Sequence, residues 1–128
     1  MNPKEYLTPL GIEYFRQIES ILKSRGMDSE DYSIELSMLA NQYAMHDDAN
    51  TKAMERETAG LPGFYNEFEN GTVQVNAFFT MQKESMSAIQ KLSPKFGLNP
   101  VDIQKVKGSI KEPSTKPKGA LAQLRKTP

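Results

Sequence analysis

The chain contains no cysteine and no tryptophan, and His46 is the single histidine among its 128 residues. The absence of cysteine excludes disulfide bridges and cysteine-based zinc sites, and it is compatible with a reducing compartment. A chain of this length corresponds to about one domain and can bury a core without such cross-links. We therefore expect one domain that is stabilised by hydrophobic packing.

Long apolar runs are missing as well, since the uninterrupted ones extend over only a few residues. A membrane-spanning helix needs about 20 mostly apolar residues, and residues 1–5 lack the apolar core of a signal peptide. The sequence thus predicts a soluble protein that is not exported and has no membrane partner.

Motifs for catalysis and nucleotide binding are absent too. No glycine stands in the phosphate-binding patterns GxGxxG or GxxxxGK followed by Ser or Thr, so ATP hydrolysis is not expected. His46 precedes Asp47, but adjacent helical positions point about 100° apart, so one metal ion cannot easily use both. We expect this pair on the polar helix surface or in salt bridges between subunits.

Four other carboxylates occupy a helix end and a hairpin, where a solvated face is expected: Glu55, Glu57, Glu67 and Glu69. We predict no catalytic residue, cofactor or metal, and a binding and assembly protein rather than an enzyme.

The stretch 75–106 organises the chain. Apolar and small residues recur there at helical spacing opposite a polar face, as an amphipathic helix requires: Phe78, Met81, Ser85, Ala88 or Ile89, and Leu92. Asn76 is the predicted N-cap, because its side-chain oxygen can accept from a free N–H of the first turn. Pro94 cannot donate to the preceding turn, so this helix should end shortly before it. Asn99 and Pro100 predict the start of a short final helix.

Two earlier helices are predicted. Thr8 and Pro9 are typical of a helix start, and Gly26 is typical of a left-handed helix end. The apolar stripe between them comprises Leu10, Tyr14, Phe15, Ile18, Ile21 and Leu22. The acidic run 28–31 predicts the start of a second helix over about residues 29–57. Its main apolar face comprises Tyr32, Leu36, Leu39, Ala40 and Tyr43.

The second helix carries a further apolar set, Ile34, Met38 and Met45, that points away from its main face. One short domain has difficulty covering both faces of a helix. We therefore predict that this set, together with Met86 of the third helix, forms an interface between subunits. The alternative is that the first helix covers the second face within one chain.

Between the second and third helices, Asn70 and Gly71 are flanked by aromatic and β-branched residues, which is typical of a β-hairpin. We predict the hairpin near residues 63–75, with a type I′ turn in which both central residues have positive φ. A lone hairpin is marginal in water, so it should pack on the helices or pair with its neighbours in an oligomer. The predicted fold is mainly α, with two long antiparallel helices, a shorter N-terminal helix, one β-hairpin insertion and a short C-terminal helix.

The formal net charge of zero conceals an asymmetry. Seven of the 16 basic residues, but only one of the 16 acidic residues, lie from Lys105 onward, so the body is acidic and the tail is basic. We predict a helical oligomerisation domain over residues 1–107 and a flexible, disordered basic tail over 108–128. The tail favours contact with nucleic acid or with an acidic partner surface. A solubilising terminus without a specific partner is the alternative.

The predicted DNA-contacting residues are basic side chains at the end of the first helix and along the tail: Lys23, Arg25, Lys105, Lys107, Lys111, Lys116, Lys118, Arg125 and Lys126. Cations at a helix C-terminus also complement the helix dipole, which is an alternative role for Lys23 and Arg25. Leu121 and Leu124 lie on one face of a short segment that is predicted to fold upon a partner.

Two segments also carry a resemblance to a known family. The stretch LTPLGIEYF at residues 7–15 is similar to the opening segment of the small subunits of phage terminases. The stretch FGLNP at residues 96–100 resembles the turn before the final helix in that family. The similarity in arrangement extends over residues 7–106 and includes an insertion between the two long helices.

This resemblance implies a non-catalytic terminase small subunit in the host cytoplasm. Such a protein forms a ring-shaped homo-oligomer, binds double-stranded viral DNA, and recruits or regulates the large ATPase-nuclease subunit during genome packaging. In a ring, many weak basic contacts add up by avidity. Two alternatives remain open, namely a helical DNA-binding regulator that acts as a dimer and a structural phage assembly adaptor without DNA affinity.

Overall fold

A computed structural model describes residues 1–27 and 30–109 of the chain. It is mainly helical, with α1 at Pro9–Ser24, α2 at Ser33–Thr58, α3 at Ala77–Leu92 and α4 at Pro100–Ser109. Between α2 and α3, the strands β1 (Tyr65–Glu67) and β2 (Val73–Val75) pair in an antiparallel hairpin. Short 3-10 helices occupy Glu30–Tyr32 and Ser93–Phe96. The predicted fold class is confirmed, whereas most of the predicted tail, residues 110–128, lies outside the described residues.

The starts of α1 and α3 follow the capping residues of the sequence. The Oγ1 of Thr8 accepts a hydrogen bond from the Gly11 N–H at 3.1 Å at the start of α1. The Oδ1 of Asn76 accepts from the N–H groups of Phe78 (3.0 Å) and Phe79 (3.1 Å) at the start of α3. Both predicted caps are confirmed, because these oxygens satisfy N–H groups that have no partner within the helix.

The ends of α1 and α3 also lie where the sequence predicts them. Gly26, just beyond α1, has a φ of +76°, a left-handed conformation that glycine adopts without steric cost. The helix α3 ends at Leu92, and Pro94 lies in the 3-10 helix that follows. Proline cannot donate the hydrogen bond that would continue an α-helix, so the end of α3 is encoded locally.

The helix α2 begins at Ser33, four residues later than predicted, and a 3-10 helix precedes it. The first residues of the chain bind polar side chains near this helix start. The Glu30 carboxylate accepts from the Asn2 N–H at 2.9 Å, and the Ser33 hydroxyl donates to the Asn2 carbonyl. Further along α2, the Ser37 hydroxyl accepts from the Lys4 N–H at 3.1 Å. The N-terminal segment thus lies across the start of α2.

The hairpin turn differs from the predicted type I′ turn. Gly71 has a φ of +85°, but within the described ranges no residue other than glycine has a positive φ, so Asn70 does not adopt the required conformation. The Gly71 N–H donates to the Phe68 carbonyl, and the Phe68 N–H donates to the Thr72 carbonyl, each at 2.9 Å. Glu69 and Asn70 are therefore the central residues of the turn, as in three-residue hairpin loops that end on a left-handed glycine. The hairpin is confirmed, but the predicted turn type is wrong. The strand register places the central residues of the turn at Glu69 and Asn70, one residue earlier than predicted.

The core lies between α1, the first half of α2 and the second half of α3. Tyr14 of α1 stacks on Tyr43 of α2 with their ring centroids 4.9 Å apart. Other fully buried side chains of this core are Phe15, Ile18, Leu22, Leu36, Leu39, Ile89 and Phe96. The helix α3 runs antiparallel to α2, because its end lies beside Met38 near the start of α2, and its start is bonded to the loop that follows α2.

The helix α4 closes the core at one end. Leu98, just before α4, and Val106 within it are buried in the same hydrophobic cluster as the core of α1 and α2. The ring of Tyr32 meets the edge of Phe96 with the centroids 6.2 Å apart. None of the helices in the described part of the chain is both long and apolar enough to cross a membrane.

Candidate nucleic-acid interface

Basic side chains collect at the end of the bundle where α1 and α3 terminate and α4 begins. We call this region the basic end and define it by Lys23, Arg25, Lys91, Lys95 and Lys105. Lys23 and Lys91 lie in the last turns of their helices, and Lys95 lies in the 3-10 helix after α3. The basic end is therefore assembled from segments that are distant in sequence.

Arg25 joins α1 to α4. Its Nη1 donates to the Gly97 carbonyl at 3.1 Å, and its Nη2 donates to the Oδ1 of Asp102 at 2.9 Å. The Asp102 carboxylate also accepts from the Asn99 N–H at 3.0 Å, and the Asn99 side chain accepts from the Asp102 N–H at 2.9 Å, which confirms Asn99 as the cap of α4. The hydrogen bond from the Asn99 backbone, followed by that from Arg25, holds the pKa of Asp102 below its usual value. Arg25 thus has a structural partner that its sequence context does not reveal.

The lysines of the basic end are exposed. Lys23, Lys91 and Lys95 form no ion pair with any carboxylate of the described residues. Lys105 lies near Asp102 and contributes to the low pKa of that carboxyl group. Lysines at one end of the bundle add positive potential there, which attracts anionic partners, and the carboxylates of Glu30, Asp31 and Glu35 at the start of α2 oppose it in part.

The predicted DNA-contacting residues are only partly described. The structure brings Arg25 and Lys105 to the same carboxylate, that of Asp102. It places Lys23 in the last turn of α1, just before Arg25, and Lys107 in the same helix as Lys105. The others, like the partner-binding residues Leu121 and Leu124, lie outside the described residues: Lys111, Lys116, Lys118, Arg125 and Lys126.

Lys91 and Lys95 belong to the basic end although the sequence analysis did not predict them as binding residues. The one signal that the sequence offers is their position at the end of a helix, where cations complement the helix dipole. Their proximity to Arg25 depends on the packing of the 3-10 helix after α3 against α1 and α4, which no local pattern encodes.

The opposite end of the bundle is acidic. We call it the hairpin end and define it as residues 57–82, which include the hairpin and the adjoining start of α3. All charged residues in this range are acidic, namely Glu57, Glu67 and Glu69. Arg56 and Lys83 flank this acidic range, and the basic end also carries Glu30, Asp31 and Glu35 at the start of α2.

A largely apolar groove of about 640 Å³ opens beside the basic end. It is lined by Tyr6, Met38, Asn41, Gln42, Ala88, Lys91, Leu92 and Lys95. Of the predicted subunit interface, Ile34 is 59% exposed and Met38 is 46% exposed, while Met45 and Met86 are partly buried. The helix α1 packs on the other face of α2, so the alternative that α1 covers Ile34 and Met38 is wrong.

His46 is buried, which makes the predicted surface position wrong. It lies one turn beyond Tyr43 on the buried face of α2, and its Nδ1 is 3.3 Å from the side-chain nitrogen of Asn50. The adjacent Asp47 accepts a hydrogen bond from the Tyr14 hydroxyl of α1, and burial together with this bond raises the pKa of Tyr14. Asp47 thus contributes to the packing of α1 on α2. Within residues 1–27 and 30–109, no group of three or more His, Cys, Asp or Glu side chains is placed to hold a metal ion.

The basic end and the groove offer two kinds of binding. Lysine ammonium groups bind phosphate through charge-assisted hydrogen bonds and Coulomb attraction. The apolar lining of the groove gains free energy when it is removed from water by a partner side chain. No protein-family model, curated protein or solved structure matches this chain.

Proposed function

We propose that this chain is a non-catalytic small subunit of a phage terminase. In this proposal it binds double-stranded viral DNA and recruits or regulates the large ATPase-nuclease subunit during genome packaging. The observation that carries the proposal is the basic end, from which the basic tail of the sequence continues. The order of elements also supports it, since the hairpin lies between the two helices that the resemblance places around it.

The helix α4 extends the basic end toward the tail. It carries Lys105 and Lys107 and ends at Ser109, and five of the 19 residues that follow are basic. Duplex DNA presents one negative charge per about 1.7 Å of its axis, and each phosphate that a protein neutralises releases condensed counterions. In the sequence, the two lysines of α4 are therefore followed by further cations that a DNA backbone attracts.

Contacts of this kind are weak in one chain, and they carry no information about base sequence. We propose that homo-oligomerisation through Ile34, Met38, Met45 and Met86 multiplies them, because linked copies bind at a high effective concentration. Leu121 and Leu124 bind the large subunit in this proposal, so that the tail connects the DNA-bound oligomer to the packaging motor.

The proposal is tested by titrating the full-length protein with double-stranded DNA at several salt concentrations. The logarithm of the wild-type affinity should fall linearly with the logarithm of the salt concentration. In the variant Lys23→Gln/Lys105→Gln, this slope should become shallower by about 2, because each phosphate contact contributes about 0.9. The affinity at low salt should fall by about tenfold or more. The matched control Lys52→Gln/Lys83→Gln removes the same charge from exposed lysines outside the basic end and should leave the slope unchanged.

An equal loss of affinity in the control variant would mean that net charge alone attracts DNA, and it would contradict the proposed site. Absence of wild-type binding at low salt would favour the assembly adaptor without DNA affinity. A dimeric mass with a sequence-specific footprint would favour the DNA-binding regulator.

A further inference from the structure

The hairpin turns an apolar face away from the helices. Side chains alternate between the two faces of a strand pair, so Tyr65, Glu67, Val73 and Val75 share one face, which we call the outer face. The opposite face carries Asn66, whose side-chain oxygen accepts a hydrogen bond from Arg56 of α2 at 3.1 Å. On the outer face, Tyr65 is 40% exposed, Val73 is 56% exposed and Val75 is 54% exposed. This arrangement reverses the usual one, in which the apolar face of a small antiparallel sheet packs on the core.

The outer face has an acidic border. Glu67 lies on it directly opposite Val73, and Glu69 lies in the turn next to the exposed Phe68. Neither carboxylate forms an ion pair within the described part of the chain. A partner that fits this surface must therefore offer apolar side chains with cations beside them.

The groove beside the basic end has this composition. Met38, Ala88 and Leu92 supply apolar surface, Lys91 and Lys95 supply two cations, and no carboxylate lines it. Its volume of about 640 Å³ lies within the range of about 300–1,000 Å³ that is common for ligand-binding clefts. Opposite charges across an interface favour encounter and fix its orientation, and contact between the apolar groups supplies the burial that holds it.

The hairpin of a chain cannot occupy the groove of the same chain. From Met38 to the end of α2 at Thr58, the helix advances about 30 Å at 1.5 Å per residue. The helix α3 separates the hairpin from Leu92 in the same way, because it runs antiparallel to α2. The occupant that matches the groove must therefore come from another molecule.

We infer that the outer face of the hairpin of one copy docks into the groove of a second copy, with Glu67 and Glu69 opposite Lys91 and Lys95. Each copy then offers a hairpin at one end and a groove at the other. Such a head-to-tail interface closes into a ring or continues as an open filament, depending on the rotation between copies. The inference deepens the homo-oligomer in the proposed function, on which it rests. Of the four interface residues proposed there it places Met38 in the contact, and it uses neither Lys23 nor Lys105, which the DNA titration varies.

The interface is tested by measuring the mass of the full-length protein in solution, without DNA, by sedimentation equilibrium over a range of concentrations. The groove variant Lys91→Glu/Lys95→Glu and the hairpin variant Glu67→Lys/Glu69→Lys should each associate at least tenfold more weakly than wild type. An equimolar mixture of the two variants should associate again, because every contact in it joins opposite charges. The fourfold variant should recover association on its own for the same reason.

Two further variants serve as controls for misfolding and for the change in net charge. Lys52→Glu/Lys83→Glu makes the same charge change as the groove variant on other exposed lysines and should associate like wild type. Val73→Thr/Val75→Thr keeps β-branched side chains in the hairpin but adds polar atoms to the outer face, so it should also weaken association.

A wild-type chain that remains monomeric would overturn this interface, and so would charge variants that associate like wild type. Variants that dissociate without recovery in the mixture would also overturn it, since a hairpin-groove contact requires complementation. None of these outcomes involves DNA, so the salt titration at Lys23 and Lys105 tests DNA binding independently of this interface.

Discussion

The two ends of the bundle differ in how much apolar surface they bury. In the half of the bundle that includes the basic end, aromatic and aliphatic side chains from α1, α2, α3 and α4 share one buried cluster, in which Tyr14 and Tyr43 are stacked. Toward the hairpin end, the buried residues of α2 are the small Ala49 and Ala53. Several large apolar side chains near the hairpin are exposed instead: Leu61, Tyr65, Phe68, Val73 and Val75. The half that includes the basic end therefore buries most of the large apolar side chains of the fold, and the hairpin end leaves several of them exposed.

Hydrogen bonds to the backbone hold the hairpin end, together with a contact between the half-buried rings of Phe64 and Phe79, whose centroids are 6.5 Å apart. Arg56 donates from Nε to the Pro62 carbonyl at 2.8 Å and from Nη2 to the Tyr65 carbonyl at 3.3 Å. The Asn76 side chain donates to the Gly63 carbonyl at 2.9 Å. A Cβ at Gly63 would lie 2.9 Å from the Ala53 carbonyl oxygen, so only glycine permits this close approach of the loop to α2.

The largest expected difference in the free energy of unfolding comes from replacing a leucine by alanine in each of the two regions. Leu36→Ala should lower the free energy of unfolding by about 2–5 kcal/mol, because it removes a fully buried side chain and leaves a cavity. Leu61→Ala should change it by less than about 0.5 kcal/mol, because Leu61 is 50% exposed. Denaturant unfolding of both variants measures the difference. Equal losses would contradict the assignment of most apolar burial to the half that includes the basic end.

A smaller loss in the free energy of unfolding should come from removing the hydrogen bonds by which Arg56 attaches the hairpin to α2. Arg56→Ala removes hydrogen bonds to three acceptors in the loop and in β1, and it should cost about 1–2 kcal/mol. Hydrogen exchange should accelerate at the hairpin amides and remain slow in α1, because the attachment is local. The control is Lys52→Ala, whose exposed ion pair with Glu55 spans 4.0 Å and contributes little. Uniform acceleration through α1 would mean that the two regions unfold as one unit.

The smallest effect concerns acid stability at the basic end. The pKa of Asp102 is lower in the folded chain than the value of about 3.9 expected when unfolded, so the unfolded state binds more protons in acid. The stabilisation from Asp102 is therefore complete above about pH 4 and is lost as the pH falls through the folded pKa. Asp102→Asn should lower the thermal midpoint at pH 7 and reduce its dependence on pH in acid.

Melting curves of this variant between pH 7 and pH 3 provide the measurement. Glu67→Gln is the control at the hairpin end, because Glu67 is exposed and in no ion pair with the described residues. If both variants changed the pH dependence equally, the acid response would not be specific to the contact between Arg25 and Asp102.

The predictions from sequence succeeded where the determining contacts are local. Thr8, Asn76 and Asn99 cap their helices as predicted, since each accepts from an N–H two or three residues ahead. The start of α2 was predicted four residues too early, since a 3-10 helix occupies Glu30–Tyr32, and the contacts of Glu30 and Ser33 with Asn2 come from a distant part of the chain. His46 was predicted on the surface, because its polar neighbours outweighed its position on the same face as Tyr43.

The candidate site was less predictable than the fold. Lys23 and Lys105 were identified by charge alone, whereas Lys91 and Lys95 lie at the end of a predicted amphipathic helix and gave no separate signal. The role of Arg25 in joining α1 to α4 depends on Asp102, which is far from it in sequence. No local pattern pairs two such residues, because their distance is determined by how the helices pack.

The sequence by itself determined the mainly helical class, three of the helix starts, the position of the hairpin and the separation of a basic tail from an acidic body. Periodicity and capping act over a few residues, so they can be read without knowledge of the fold. Only the tertiary structure decided that Arg25 at the end of α1 pairs with Asp102 of α4, that a groove with two lysines opens beside Met38, and that the apolar face of the hairpin is exposed. These features depend on the relative placement of elements that are distant in sequence, and packing of the whole core determines that placement.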